Sequence, residues 1–84
     1  MIECNRTMEQ GRRDFAAGRL TQAALVRVPM SRNEWTVRLV GSKGEAGMLL
    51  EVQTLNPQVF TRLDAAVQAI EQLGFTVAQL KVSM

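Results

Sequence analysis

Apolar and polar positions change their period twice along the chain. Between residues 5 and 19, Met8, Phe15 and Ala16 form a thin helical stripe, interrupted by Gly11 and surrounded by Arg6, Glu9, Arg12, Arg13, Asp14 and Arg19. Thr7 and Gln10 have the spacing of a capping box, in which the two side chains satisfy backbone N–H groups at a helix start. Gly18 stands where such a helix would stop. A helix this polar buries little against its own domain, so it is expected on a surface or against a second chain.

From residue 22 the pattern alternates. Val26, Val28 and Met30 fall on one face of a strand, with Leu25 and Arg27 on the other. After a turn at Ser31-Arg32-Asn33, Trp35, Val37 and Leu39 alternate with Thr36, Arg38 and Val40. Gly41-Ser42-Lys43-Gly44 has the composition of a hairpin turn. A third run, Ala46 to Thr54, sets Met48, Leu50 and Val52 against Leu49, Glu51 and Gln53. Three adjacent strands joined by short polar turns predict an antiparallel meander. Asn56-Pro57 breaks it.

The helical period then returns in its strongest form. Leu63, Ala66, Val67, Ile70 and Leu73 recur at spacings of three and four. Thr61 and Asp64 have the spacing of a second capping box, and Gly74 is the expected C-cap. Phe75 to Val82, with Val77, Leu80 and Val82, reads as a short C-terminal strand. The whole is a single α+β domain over 1–84: an N-terminal helix, a three-stranded antiparallel meander, an amphipathic helix packed on the sheet, and a short last strand. The predicted core is Val26, Val28, Trp35, Val37, Leu39, Leu50, Val52, Phe60, Leu63, Val67, Ile70 and Leu73. Leu25, Val40 and Leu49 are then left on the other sheet face. A chain of 84 residues with apolar surface to spare is expected to gain burial in a partner subunit, so a homodimer is predicted, with the helical arm 1–20 or the last strand exchanged.

Composition narrows the chemistry. Apolar residues make up 46% and charged residues 21%, which is globular rather than disordered composition. Without histidine, and with one cysteine, the chain has no disulfide framework, no histidine-bearing zinc site and no histidine-based triad. Cys4 has no histidine to activate it and reads as an incidental thiol, at home in a reducing cytoplasm. The N-terminus lacks the apolar core of a secretory signal, and no run approaches the roughly twenty apolar residues of a membrane span. Glu45, Glu51, Asp64 and Glu71 are scattered over a turn, a strand and a helix rather than paired for acid–base work. Gly41-Ser42-Lys43-Gly44 lacks the spacing and the following helix of a phosphate-binding P-loop. No enzyme, cofactor, metal or small-molecule substrate is therefore expected.

Arginine placement is the informative feature. Eight of the ten basic residues are arginine, and residues 1–38 hold seven of them against Glu3, Glu9, Asp14 and Glu34, a local net charge of +3. Arg27 and Arg38 fall on the same predicted sheet face, with Arg32 and Lys43 at the two turns, so the four are expected to converge. Guanidinium forks suit phosphate oxygens and guanine edges, and a two-stranded ribbon fits a major groove. Trp35 reads as a core anchor, since neighbouring strands offer no aromatic partner for base stacking.

Trp35-Thr36-Val37-Arg38-Leu39 as second strand, followed by Phe60-Thr61-Arg62-Leu63-Asp64-Ala65-Ala66-Val67-Gln68-Ala69-Ile70, resembles the sheet-reading DNA-binding domains of plant ethylene-response factors and of phage-integrase arm type. The resemblance spans residues 24–73. It implies a sheet that enters the DNA major groove with the helix behind it, and contacts from Arg27, Arg32, Arg38 and Lys43. In general character the chain is also similar to small proteins carried by bacterial plasmids. The expectation is a cytoplasmic, non-catalytic DNA- or RNA-binding accessory or regulatory protein, with Arg12 and Arg13 adding phosphate contacts. The alternative is a protein-interaction module (an adaptor, inhibitor or antitoxin-like partner), suggested by spare apolar side chains such as Met30, Met48 and Met84.

Overall fold

The computed structural model describes residues 5–76 and the backbone of 80–83, so Cys4, Val77 and Met84 lie outside the described residues. The elements run β1 (Arg6–Thr7), α1 (Met8–Ala16), β2 (Leu20–Arg27), β3 (Trp35–Gly41), β4 (Ala46–Leu50), α2 (Leu63–Leu73) and β5 (Leu80–Ser83). The architecture is α+β, with two helices on a mixed sheet.

The sheet differs from a plain meander. β2, β3 and β4 do pair antiparallel in sequence order, but β5 joins β2 in parallel to give a mixed four-stranded sheet. The two-residue β1 adds a parallel rung beside β4, so the full order is β1-β4-β3-β2-β5. The parallel pairs arise from two crossovers, β1-α1-β2 and β4-α2-β5. Each passes over two intervening strands in the same direction, and crossovers of one hand then place both helices on one face.

Helix α1 starts as its sequence dictates. The Gln10 N–H donates to Thr7 Oγ1 at 3.5 Å and the Thr7 N–H donates to Gln10 Oε1 at 3.1 Å, completing the capping box. The expectation that α1 finds little to bury against is corrected by Gly11, which is buried. A Cβ there would lie 2.5 Å from Leu73 Cδ2, so the missing side chain lets α1 approach α2 closely. Phe15 meets Phe75 edge-on at 4.6 Å between ring centroids. Helix α2 ends at Gly74, whose φ of 123° and contact with Phe15 leave no room for a side chain. Its start is not the expected one. The N-cap is Arg62 without a side-chain cap, and the Asp64 carboxylate accepts from the adjacent Ala65 N–H at 3.0 Å rather than closing a box with Thr61.

The core lies between this helix pair and one sheet face: Leu20, Ala23, Leu25, Val37, Leu39, Leu49, Ala66, Ala69, Ile70, Leu73 and Phe75. Trp35, Phe60 and Val67 pack against it, as expected. Two strands present the opposite face from the one predicted. Leu25 pairs with Val37 and Ala23 with Leu39, so the odd positions of β2 face the helices, while Val26 turns away. In β4 it is Leu49 that is fully buried, not Leu50. A one-residue change of register moves every side chain to the other face. Beyond β4 the chain leaves the sheet, so Val52 is 72% exposed, and Leu63 is 46% exposed at the first position of α2.

Candidate nucleic-acid interface

The register determines where each predicted contact residue stands. Arg27 is opposite Trp35 on the helix-covered face, and its guanidinium lies 5.5 Å from the Trp35 ring centroid. Its NH2 group donates to the Arg32 carbonyl at 2.6 Å, fastening the β2–β3 turn. Arg38 is opposite Ala24 and Met48, on the face without helices. Arg27 and Arg38 therefore point to opposite sides of the sheet. Arg32 and Lys43 occupy turns at opposite ends of β3, a strand of seven residues, or roughly 20 Å. The four residues do not converge. Glu51, on the segment after β4, accepts from the Thr54 hydroxyl at 2.9 Å.

Guanidinium groups do gather elsewhere. Asn5, Arg6, Gln10, Arg13, Asp14 and Arg19 line an open recess of about 360 Å³ where β2 begins. Strand β1 leads straight into α1, which folds back over it and brings Arg6 beneath Asp14. Arg6 Nε and Asp14 Oδ2 are 2.6 Å apart, and Arg19 NH1 lies 3.6 Å from Asp14 Oδ1. The Asp14 side chain is only 14% exposed, whereas those of Arg13 and Arg19 are 74% and 73% exposed. One carboxylate thus orients Arg6, whose NH1 also donates to the Asn5 carbonyl at 2.9 Å, and Arg19, whose guanidinium stays largely in solvent. The Arg13–Glu9 pair, at 3.7 Å and largely in solvent, neutralises little.

Arg12 and Lys43 of the predicted set do not line the recess itself but stand on segments joined to it. The Ser42 N–H donates to the Arg19 carbonyl at 2.9 Å, which ties the turn carrying Lys43 to the same end of the sheet. Arg12, exposed on α1, shares the adjoining hollow with Arg13, Glu9 and Ala16. Of the predicted set, Arg13 lines the recess and Arg12 the hollow beside it, Lys43 stands in the turn bonded to Arg19, Arg27 and Arg32 meet at the β2–β3 turn, and Arg38 stands apart on the helix-free face. Arg6 and Arg19 are the site residues that the sequence pattern does not single out. Their signal is topological, since a two-residue strand running directly into a helix reverses the chain above itself, and no local period announces that.

The sheet face away from the helices, which a groove-reading sheet would use, carries Arg38 as its one arginine among the described residues, with Gln22, Thr36 and the register position of Lys81 beside Ala24, Val26, Val40, Ala46, Met48 and Leu50. Among the described residues no helix is long and apolar enough to cross a membrane. No protein-family model, curated protein or solved structure matches the chain.

Proposed function

We propose that the protein binds nucleic acid without catalysis, through phosphate contacts at the recess of Arg6, Arg13 and Arg19 and its neighbours Arg12 and Lys43. The observation that carries this reading is two guanidinium groups held on one carboxylate in an open recess that a third, Arg13, also lines. Asp14 holds Arg6 and Arg19 in place at a fraction of their charge, and planar forks with solvent-facing donors match phosphate oxygens in bidentate fashion. The ligand is backbone phosphate rather than base edges, because the sheet offers no ribbon of arginines to read a groove.

Salt-varied titration against duplex DNA, single-stranded DNA and RNA tests the reading. For duplex DNA the affinity should fall steeply with salt, and charge reversal at Arg13 or Arg19 should flatten the log–log slope by about 0.9 for each phosphate no longer neutralised. Reversal at Arg27 should leave the slope unchanged. Absence of binding at low salt, or a salt-independent affinity, would defeat the reading.

A second reading, as a protein-interaction module, draws on a separate observation. Met30, Val52, Leu55, Val59 and Leu63 are exposed around the loops at the far end of the sheet from the recess. Exposed apolar clusters of this kind mark partner surfaces. Charge reversal at Arg13 and Arg19 discriminates the two, since it would abolish nucleic-acid binding and spare a partner at the other end.

A further inference from the structure

The recess between Arg6 and Arg19 is local and small. Its lining residues all fall within 5–19, and its volume of about 360 Å³ is near the lower end for a site that takes one small ligand. A groove that tracks a nucleic-acid strand instead serves about 4–16 nucleotides. Three guanidinium groups and one carboxylate line the recess, a net of two positive charges. Arg6 is committed to the wall: its Nε is 2.6 Å from Asp14 Oδ2, and its NH1 donates to the Asn5 carbonyl at 2.9 Å. Arg13 and Arg19 are not. Each meets one carboxylate at long range, Glu9 at 3.7 Å and Asp14 at 3.6 Å, and among the described residues neither side chain makes a hydrogen bond. Gln10 Oε1 accepts from the Thr7 N–H at 3.1 Å, so the Gln10 amide NH2 remains as a further donor.

We infer that the recess takes a phosphomonoester, which nucleic acid supplies as a terminal phosphate. The inference rests on the nucleic-acid reading for that source and goes beyond it in the class of phosphate. Oxygen count selects the monoester. Each guanidinium fork engages two oxygens of one phosphate. Two forks on the same phosphorus, from Arg13 and Arg19, need a third oxygen. An internal phosphodiester has only two that are not esterified, whereas a phosphomonoester has three. Charge selects it as well. A monoester carries about −1.5 to −2 at neutral pH, close to the opposite of the lining, against one negative charge for an internal linkage. A carboxylate falls short on both counts, with two oxygens and one charge. Arg12 and Lys43, on segments joined to the recess, meet the next phosphates of the strand.

Three short single strands of one sequence test this, with a phosphate at the five-prime end, at the three-prime end or at neither, titrated into the full chain at low salt. One phosphorylated strand should bind more tightly than the strand with hydroxyl ends by about tenfold or more. Arg13→Gln and Arg19→Gln should each erase most of that preference, and Arg12→Gln should weaken all three strands alike. Both recess arginines are largely exposed, and unchanged amide dispersion verifies the fold. The preference should also grow between about pH 5.5 and 7, as the monoester loses its second proton near pH 6. Charged groups around the phosphate are Arg6, Arg13, Arg19 and Asp14, with Glu9 and Arg12 from the same helix and Lys43 from the turn. The chain has no histidine, so this change reports the ligand. Equal affinity for the three strands, or a preference that survives both glutamine variants, would overturn the inference and leave salt-dependent nucleic-acid binding standing. A free mononucleotide that binds as tightly as the phosphorylated strand would overturn the terminal-phosphate source. No binding of any strand would defeat the inference together with the reading it rests on.

Discussion

Gly11 interrupts the apolar stripe of the first helix in sequence, yet it is the position that allows α1 to pack. In an exposed helix interior, exchanging glycine for alanine gains roughly 1 kcal/mol of helix propensity. Here the new methyl would meet Leu73, a side chain that is 2% exposed and has little room to yield. Gly11→Ala should therefore leave stability close to that of the parent, gain and strain offsetting each other. Gly11→Val, which adds bulk and a β-branch, should cost about 1–3 kcal/mol by overpacking. Urea denaturation of the two variants measures both, and a Gly11→Val protein as stable as the parent would place α1 elsewhere. Asp14 shows a related economy, since one mostly buried carboxylate positions two arginines and leaves Arg19 largely exposed.

At the scale of elements, the two helix starts separate what local sequence encodes from what it does not. Thr7 and Gln10 form the capping box that their spacing announces, whereas Thr61 and Asp64 have similar spacing and form none, because α2 begins two residues beyond Thr61. Thr7→Ala should cost about 1 kcal/mol, while Thr61→Ala should stay within about 0.5 kcal/mol. The strands make the same point about faces. Val37 and Leu39 alternate with Thr36 and Arg38, and their burial was legible. Leu25-Val26 and Met48-Leu49-Leu50 are apolar in succession, so alternation cannot choose a face. Pairing across the turns chooses it. Leu25→Ala should then cost about 2–5 kcal/mol, against about 1 kcal/mol or less for Val26→Ala. Equal destabilisation in thermal unfolding would contradict the register.

At the scale of the molecule, the architecture follows from the two crossovers, and so does the division of labour among surfaces. The α+β class, the three antiparallel strands and the C-terminal strand were readable as local patterns. The parallel pairings were not, because they join segments far apart in the chain. The same non-local step divides the arginines into groups: Arg6, Arg13 and Arg19 at the recess with Arg12 beside it, Arg27 and Arg32 at the β2–β3 turn, and Arg38 on the helix-free face. The excess of arginine in residues 1–38 thus pointed to a basic surface, while the position of that surface depended on the fold. Backbone amide NMR during titration with a short DNA duplex and with single-stranded RNA, at low and moderate salt, locates it directly. The largest shifts should fall on Arg13, Arg19, Ser42 and Lys43 and fade as salt rises; shifts confined to Arg27, Arg32 or Arg38, or none with either nucleic acid, would contradict the account.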